Sequence, residues 1–335
     1  MSTPINHVDP ATLADAGTFR QQVMETCRPV LMRGMASGWP LLAGGTDCVI
    51  DHIRRHDAGN PAEMFIGKPG IGARYFYDDE LTGFNFDRET LPVSDAVERI
   101  VATAGEPGQP SMYMGSLPSE RYLPGIERAT PLPFLPENVR PRLWIGHAST
   151  IACHYDTKDN VAVVAAGRRR FTLYPPDSVG DLYVGPIDHT LSGQPVSFAA
   201  GSPGGDPRYP RFERARERAL VAELAPGDGI YIPKLWWHQV EALGDLNVLV
   251  NFWWDDFAAG MDQPYMTMLL AMIAIAERPE GERAAWRAWF DHYVFRPEGH
   301  PLAFLPPERH GILGPLAGGN YGRIRSIVMR ALRGG

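Results

Sequence analysis

The chain has 335 residues, 44% of them hydrophobic and 21% charged, with a formal net charge of -7 at pH 7, which suits one elaborated domain or a domain with an appendage. An acidic balance argues against a nucleic-acid phosphate footprint, which needs clustered Lys and Arg, and no run of about 18 apolar residues offers a membrane span. The 35 Gly and 31 Pro indicate many turns and favour a β-rich fold over a helical bundle.

The amino-terminal stretch "MSTPINHVDPATLADAG" lacks a basic segment followed by an apolar run, so no signal peptide is expected and the chain is expected in the cytoplasm. Next, "AGTFRQQVMETC" has helical spacing, "RPVLMRG" reads as a short apolar strand, and "ASGWPLLAGG" as a turn-rich connector. "ARYFYDDELTGFNF" alternates like a strand entering a loop. Residues 93 to 104, "VSDAVERIVATA", predict a helix with Ser94 and Asp95 as its cap, and "PSMYMGSL" is extended again.

From Arg142 the sequence becomes a series of short strands: "RLWIGH", "IACHYD", "NVAVVAAG", "RRFTLYPP", "LVAELAPGDGIYIP", "WWHQVEAL" and "LNVLVNFWW". Their spacing is that of a β-sandwich or barrel. Residues 177 to 217, rich in Gly, Pro and charge, are too long for a hairpin loop and predict a lid or a binding insertion. Beyond Asp256 the pattern turns helical. "PYMTMLLAMIAIAE" is apolar nearly all round, and Trp286, Trp289, Phe290 and Tyr293 fall on one stripe, so both helices need a partner surface.

The three cysteines, Cys27, Cys48 and Cys153, are odd in number and show no CxxC spacing, which fits a reducing compartment. Cys153 adjoins His154, but neighbouring residues of a strand face opposite ways. Cys153 is therefore read as a buried structural thiol rather than a nucleophile.

His154 and Asp156 stand at i and i+2 in an extended segment, so both project from one face. His238, in a later strand, supplies a third donor. HxD with a distant His is the two-histidine, one-carboxylate arrangement that holds Fe(II) on three sites and leaves three open. By themselves the pair are weak evidence for a metal and are more often explained by hydrogen bonds to each other or to nearby loops.

The blocks "WIG…HYD…N…GRRRFTLYPP" and "GDGIYIPKLWWH…VNFWW" resemble the JmjC (cupin-type) iron and 2-oxoglutarate-dependent oxygenases. The likeness runs over roughly residues 18 to 256 and is nearest to the branch that includes the asparaginyl hydroxylase called factor inhibiting hypoxia-inducible factor and many bacterial cupin-like proteins. The resemblance implies that His154, Asp156 and His238 ligate Fe(II), that Tyr113 binds the C5 carboxylate of 2-oxoglutarate, and that Asn160 and Asn251 line the cosubstrate site. Relatives commonly pair that carboxylate with a lysine two positions past a glycine; here Gly167 leads to Arg169. In a strand Arg169 shares a face with Phe171 and Leu173, opposite Arg168 and Arg170, and a guanidinium aimed inward needs an anion. Many relatives carry Thr or Ser three residues before the first histidine. That position is Ile151 in this chain, so either a small register shift lets Thr150 serve as the cosubstrate contact or that contact is absent.

Tyr75, Phe76 and Tyr77 match the region where relatives place aromatics at the substrate mouth, although a half-buried aromatic strand explains them equally. His147 and His189 read as surface or hydrogen-bonded core residues, and Trp236 and Trp237 as packing. The expected architecture is a mainly β double-stranded β-helix, the JmjC-type jelly roll. Residues 1–256 would form the catalytic domain, with core strands at about 142–256, and residues 257–335 a helical region that forms a homodimer. The implied function is Fe(II)/2-oxoglutarate-dependent hydroxylation of a C–H bond in a peptide, protein or small molecule, with succinate and CO₂ as coproducts. The competing readings are a metal- or ligand-binding cupin without turnover and an iron cupin dioxygenase that does not use 2-oxoglutarate.

Overall fold

The computed structural model describes residues 5–13, 15–255 and 260–334, and the chain divides into two compact units, Met1–Trp254 and Asp255–Gly335. In chain order the first unit contains β1 (Asn6–His7), α1 (Ala16–Gln22), β2 (Val30–Met32), α2 (Gly45–His56), β3 (Pro61–Gly67), β4 (Arg74–Tyr75), β5 (Phe86–Pro92) and α3 (Val93–Thr103). It continues with β6 (Ser111–Pro118), α4 (Ser119–Tyr122), β7 (Pro141–Gly146), β8 (Ser149–His154), β9 (Asp159–Ala166), β10 (Arg169–Tyr174), α5 (Phe212–Glu217), β11 (Leu220–Leu224), β12 (Gly229–Ile232), β13 (Trp237–Ala242) and β14 (Asn247–Trp254).

These strands form two sheets. The larger runs β1-β2-β12-β9-β14-β7-β6-β3-β5 and the smaller β11-β10-β13-β8-β4. Pairing is antiparallel except for β1 with β2 and β4 with β8. This is a mainly β jelly roll decorated with helices, as the sequence patterns imply.

Strand β9 shows why its sequence is a continuous apolar run. Val161, Val163 and Ala165 pack outward against helix residues such as Phe19, Ile53 and Ile100, while Ala162 and Val164 face Phe171 and Leu173 of the smaller sheet. A strand covered on both faces has no polar side to alternate with. Strand β10 is covered on one face only and its burial alternates.

Helix α3 buries Val93, Ala96, Val97 and Ile100, the i, i+3, i+4, i+7 set of an amphipathic helix. Its expected cap is a correction. Ser94 and Asp95 lie inside the first turn, the N-cap is Pro92, and the free amide of Ser94 donates to Asp57 Oδ2 at 2.7 Å, just past α2. Helix α2 and strands β3 and β5 were not expected.

Residues 177–217 fold against the smaller sheet: Leu182, Ala199, Phe212 and Ala215 pack with Cys153, Tyr174 and Trp237. The second unit contains α6 (Pro264–Ile275), α7 (Glu280–Phe290) leading into a π-helical turn at Asp291–Phe295, and α8 (Asn320–Leu332), which was not expected. None of these three helices buries a residue. The aromatic stripe is present, with Trp289 5.5 Å from Tyr293 and 6.0 Å from Trp286 between ring centroids. Among the described residues no helix is long and apolar enough to cross a membrane.

Candidate functional site

Between the sheets lies a cavity of about 510 Å³. The β8–β13 register sets His238 directly opposite His154, and their rings lie 4.4 Å apart. Asp156 follows two residues after His154, with Oδ2 3.7 Å from His238 Nε2. One ligand atom from each of the three lies within 4.8 Å of the others, the spacing of a metal's donor set.

Both imidazoles are oriented by the same device. His154 Nδ1 bonds the carbonyl of Ala152 at 2.8 Å, and His238 Nδ1 bonds the carbonyl of Trp236 at 2.9 Å. A carbonyl accepts only, so Nδ1 carries the proton and Nε2 keeps its lone pair free for a metal. Burial, reinforced by His154, pushes His238 down to about 4 against the pull of Asp156. The ring is thus neutral at pH 7, the protonation state that ligation requires.

Deeper in the cavity stands Arg169, only 2% exposed. It is set by a turn at Gly167, whose φ of +72° favours glycine. A Cβ there would also meet Asn247 and sit 2.6 Å from the carbonyl of Leu246. Strand alternation then separates the three arginines. Arg168 and Arg170 reach outward to Glu223 at 2.8 and 2.6 Å, whereas Arg169 makes no hydrogen bond or ion pair among the described residues and its Nε is buried without a partner. Burial lowers its pKa to about 10, so the guanidinium remains charged at neutral pH. A buried cation with no counter-charge is costly, and a planar fork fits a carboxylate in two-point contact.

Tyr113 lines the same cavity. Burial pushes its phenol well above the ordinary range, with Arg169 acting in the opposite direction, so the hydroxyl is a protonated donor. Asn251 Nδ2 donates to Asn160 Oδ1 at 3.0 Å across β14 and β9, and Asn251 Oδ1 is left without a partner. The donor set fits the expected groups: two imidazoles and a carboxylate for a divalent ion, and an unmatched guanidinium beside a phenol for the far carboxylate of a dicarboxylic acid.

Two expectations require correction. Ile151, not Thr150, lines the cavity. The β8–β13 pairing slips between His238 and Val240, so that Val240 faces Ile151. That bulge resets the alternation and leaves Thr150 opposite Glu241, its amide bonded to the carbonyl of Ala73. Of the three aromatics proposed for the mouth, only Tyr75 lines the cavity, its hydroxyl donating to Ser111 Oγ at 3.1 Å. Phe76 and Tyr77 instead pack on Phe198 of the insertion, because β4 ends at Tyr75 and the chain turns away.

His147 is held by structure: Met112 N donates to its Nδ1, and its Nε2 bonds the Ile100 carbonyl at 2.8 Å. His189 stacks on Phe84 at 5.2 Å. Trp236 bonds the carbonyl of Cys27, and Trp237 packs edge-on against Tyr155. Cavity residues that the sequence reading passed over are Arg142, Trp253, Trp144 and Glu63, with Leu191 and Gln194 from the 177–217 insertion. Arg142 carried a signal: it sits in an apolar strand pattern, two residues from Trp144 and on the same face.

Comparison with known proteins gives a match to the cupin-like domain family over residues 16–260. The chain is 27% identical to HSPB1-associated protein 1 of Bos taurus over 198 residues, 57% of this chain and 38% of that protein. It is 23% identical to Lysine-specific demethylase 8 of Xenopus tropicalis over 244 residues, 70% of this chain and 50% of that protein. With Jumonji C domain-containing protein 5 of Drosophila melanogaster it shares 25% over 251 residues, 71% of this chain and 57% of that protein. The chain spans less than two thirds of the length of these curated relatives.

Proposed function

The chain belongs to the cupin-like domain family, and on that premise we propose that it is an Fe(II)- and 2-oxoglutarate-dependent oxygenase that hydroxylates a C–H bond. The observation that carries the reading is the buried, unmatched Arg169 in the same cavity as the His154, Asp156 and His238 cluster. Bound Fe(II) would supply O₂ activation coupled to oxidative decarboxylation of 2-oxoglutarate to succinate and CO₂.

The residues of the chain have the following roles. His154, Asp156 and His238 would hold the ion, the two rings pre-aimed through Nδ1. Arg169 and the protonated Tyr113 hold the C5 carboxylate, and the Asn160–Asn251 amide pair lines the path between that end and the metal. Leu191 and Gln194 of the insertion, with Trp253, form the side of the cavity open to substrate, which is how the insertion serves as a binding wall. The substrate class is a peptide or protein side chain, supported by likeness to a protein named Lysine-specific demethylase 8. Three free cysteines are compatible with a reducing compartment, the cytoplasm. The exposed apolar helices α6 and α7 pair with those of a second copy in a homodimer.

Anaerobic titration of the Fe(II) protein with 2-oxoglutarate tests the reading. A visible charge-transfer band should grow in, and succinate should form on admission of air. His154→Ala should abolish both by removing the metal. A ligand-binding cupin without turnover would give the band but no succinate; an iron dioxygenase that attacks its substrate directly would give neither.

A further inference from the structure

The cavity contains a second arginine. Arg142 of β7 stands beside Asn251 of β14, half-buried, on the wall next to the metal cluster. Two of its three guanidinium nitrogens are committed: Nε donates to Ser116 Oγ at 2.9 Å and Nη2 to the Ser116 carbonyl at 3.1 Å. One face of the guanidinium lies 5.0 Å from the centroid of the Trp253 ring. Ser116 is itself held at φ +55°, a left-handed conformation that a non-glycine residue adopts at a cost. It sits where the β6–β7 register slips between Met114 and Leu117. A strained bulge and an indole face thus fix this side chain, leaving Nη1 without a hydrogen bond among the described residues.

Charge balance shows what Arg142 lacks. A divalent ion, the Asp156 carboxylate, the two carboxylates of 2-oxoglutarate and Arg169 sum to neutrality in the depth of the site. At the mouth, Glu63 and Arg88 pair at 3.4 Å. Among the described residues that line the cavity, Arg142 is then the one charge with no opposite, and it makes no ion pair. Burial lowers its pKa, partly offset first by Asp156 and then by Glu120. A preorganised, partly desolvated guanidinium with a free N–H is a carboxylate receptor.

We propose that Arg142 is a specificity-determining residue that selects substrates carrying a carboxylate, seated against Trp253 beside the metal cluster. The proposal rests on the oxygenase reading and names its substrate class: an acidic side chain in a peptide, or a free small acid with the same group.

The probes are pools of acetylated, amidated hexapeptides with Asp or Glu, Lys or Arg, or Ala at a central position, and separately N-acetylaspartate and glutarate. Two readouts are taken: succinate formed above the peptide-free background by the Fe(II) protein, and equilibrium binding to the Zn(II)-loaded protein, which cannot turn over. Acidic probes should win in both, with the peptide or the small-acid arm identifying the source. Arg142→Gln should reduce that preference by about 30-fold or more, the cost of truncating one partner of a partly buried charge pair. The charge-transfer band and background succinate should be unchanged. Arg142→Glu should shift the preference to the Lys and Arg pools. Equal response to acidic and neutral probes overturns the proposal. So does a loss of 2-oxoglutarate affinity in Arg142→Gln, which would assign the residue to the cosubstrate. Acidic binding to the Zn(II) protein without succinate in the wild type would instead sink the oxygenase reading and leave the receptor standing.

Discussion

Replacing Arg169 with Met should uncouple cosubstrate binding from metal binding. The side chain is buried and its guanidinium has no partner, so the C5 carboxylate would be its sole counter-charge. Removing one member of a buried, two-point charge pair costs about 3–5 kcal/mol, which weakens 2-oxoglutarate by roughly 150- to 5,000-fold. Iron should be retained. Along β10, Arg169 pairs with Ala242 whereas Leu173 pairs with His238, a separation of four residues or about 13 Å. Thermal unfolding provides a second measurement. At 100 times its Kd, 2-oxoglutarate stabilises the wild type by about 2.7 kcal/mol, a rise of roughly 5–10 °C for a domain of this size. Arg169→Met should show almost none of this rise at the same concentration. Without ligand the variant should melt no lower than the wild type, because an uncompensated buried charge has gone. An undiminished ligand shift in the variant, or parallel loss of iron and 2-oxoglutarate, would refute the assignment of Arg169 to the cosubstrate.

Three other outcomes follow from the structure. Cys27 is exposed and Cys153 buried, with burial pushing the Cys153 thiol far up; a disulfide-exchange reagent should therefore label Cys27 in the native protein and Cys153 only after denaturation. Asp228 accepts from Gly34 N at 2.9 Å, Ala225 N at 3.1 Å and Arg33 Nη1 at 2.6 Å, so Asp228→Asn should cost about 1.5–3 kcal/mol at pH 7 in a denaturant titration. Burial raises its pKa, but those bonds outweigh it and the folded value lies below the ordinary one. The contribution of the carboxylate is therefore full above its unfolded pKa of about 3.9 and lost as pH falls through the folded value, so the gap between variant and wild type should close in acid. Finally, Ile273 is 83% exposed and Trp289 59%. A double change to Asp should convert a dimer to a monomer by light scattering, and a wild type that is already monomeric would refute the dimer.

Where one strand's own pattern determines a side chain's direction, the sequence was a sufficient guide. Arg169 stands opposite Arg168 and Arg170 because period-2 alternation needs no knowledge of the partner strand, and the short HxD spacing brings Asp156 to His154 although β8 ends at His154. Where direction depends on pairing, the sequence was silent. The slip between His238 and Val240 belongs to two strands more than 80 residues apart, and it reverses the reading of Thr150 and Ile151. Strand β5, "FDRETLP", is an edge strand, mostly exposed and paired with β3 alone, so it lacks the apolar alternation that announces a strand. Tyr75, Phe76 and Tyr77 look equivalent in sequence and are separated by where β4 ends. Arg142 was visible as a charge within an apolar strand, but its meaning depends on Ser116, Trp253 and the accounting of every other charge in the cavity.

Two departures from the pattern of the relatives, an arginine at 169 and an isoleucine at 151, now read as one adjustment. A lysine presents a point charge and leaves the orientation of the carboxylate to other donors, such as a hydroxyl on β8, across β13 in the same sheet. The β8 bulge puts an alkyl group where that hydroxyl would stand, removing a donor from the wall. A guanidinium restores the lost direction itself, since its fork offers two parallel N–H bonds to one carboxylate, with Tyr113 as a third donor from the other sheet. On this view Ile151 is compatible with 2-oxoglutarate because Arg169 is not a lysine. Arg169→Lys alone should then weaken the cosubstrate by about tenfold or more, the loss of one charge-assisted hydrogen bond, and Ile151→Thr should recover part of it only in that lysine background.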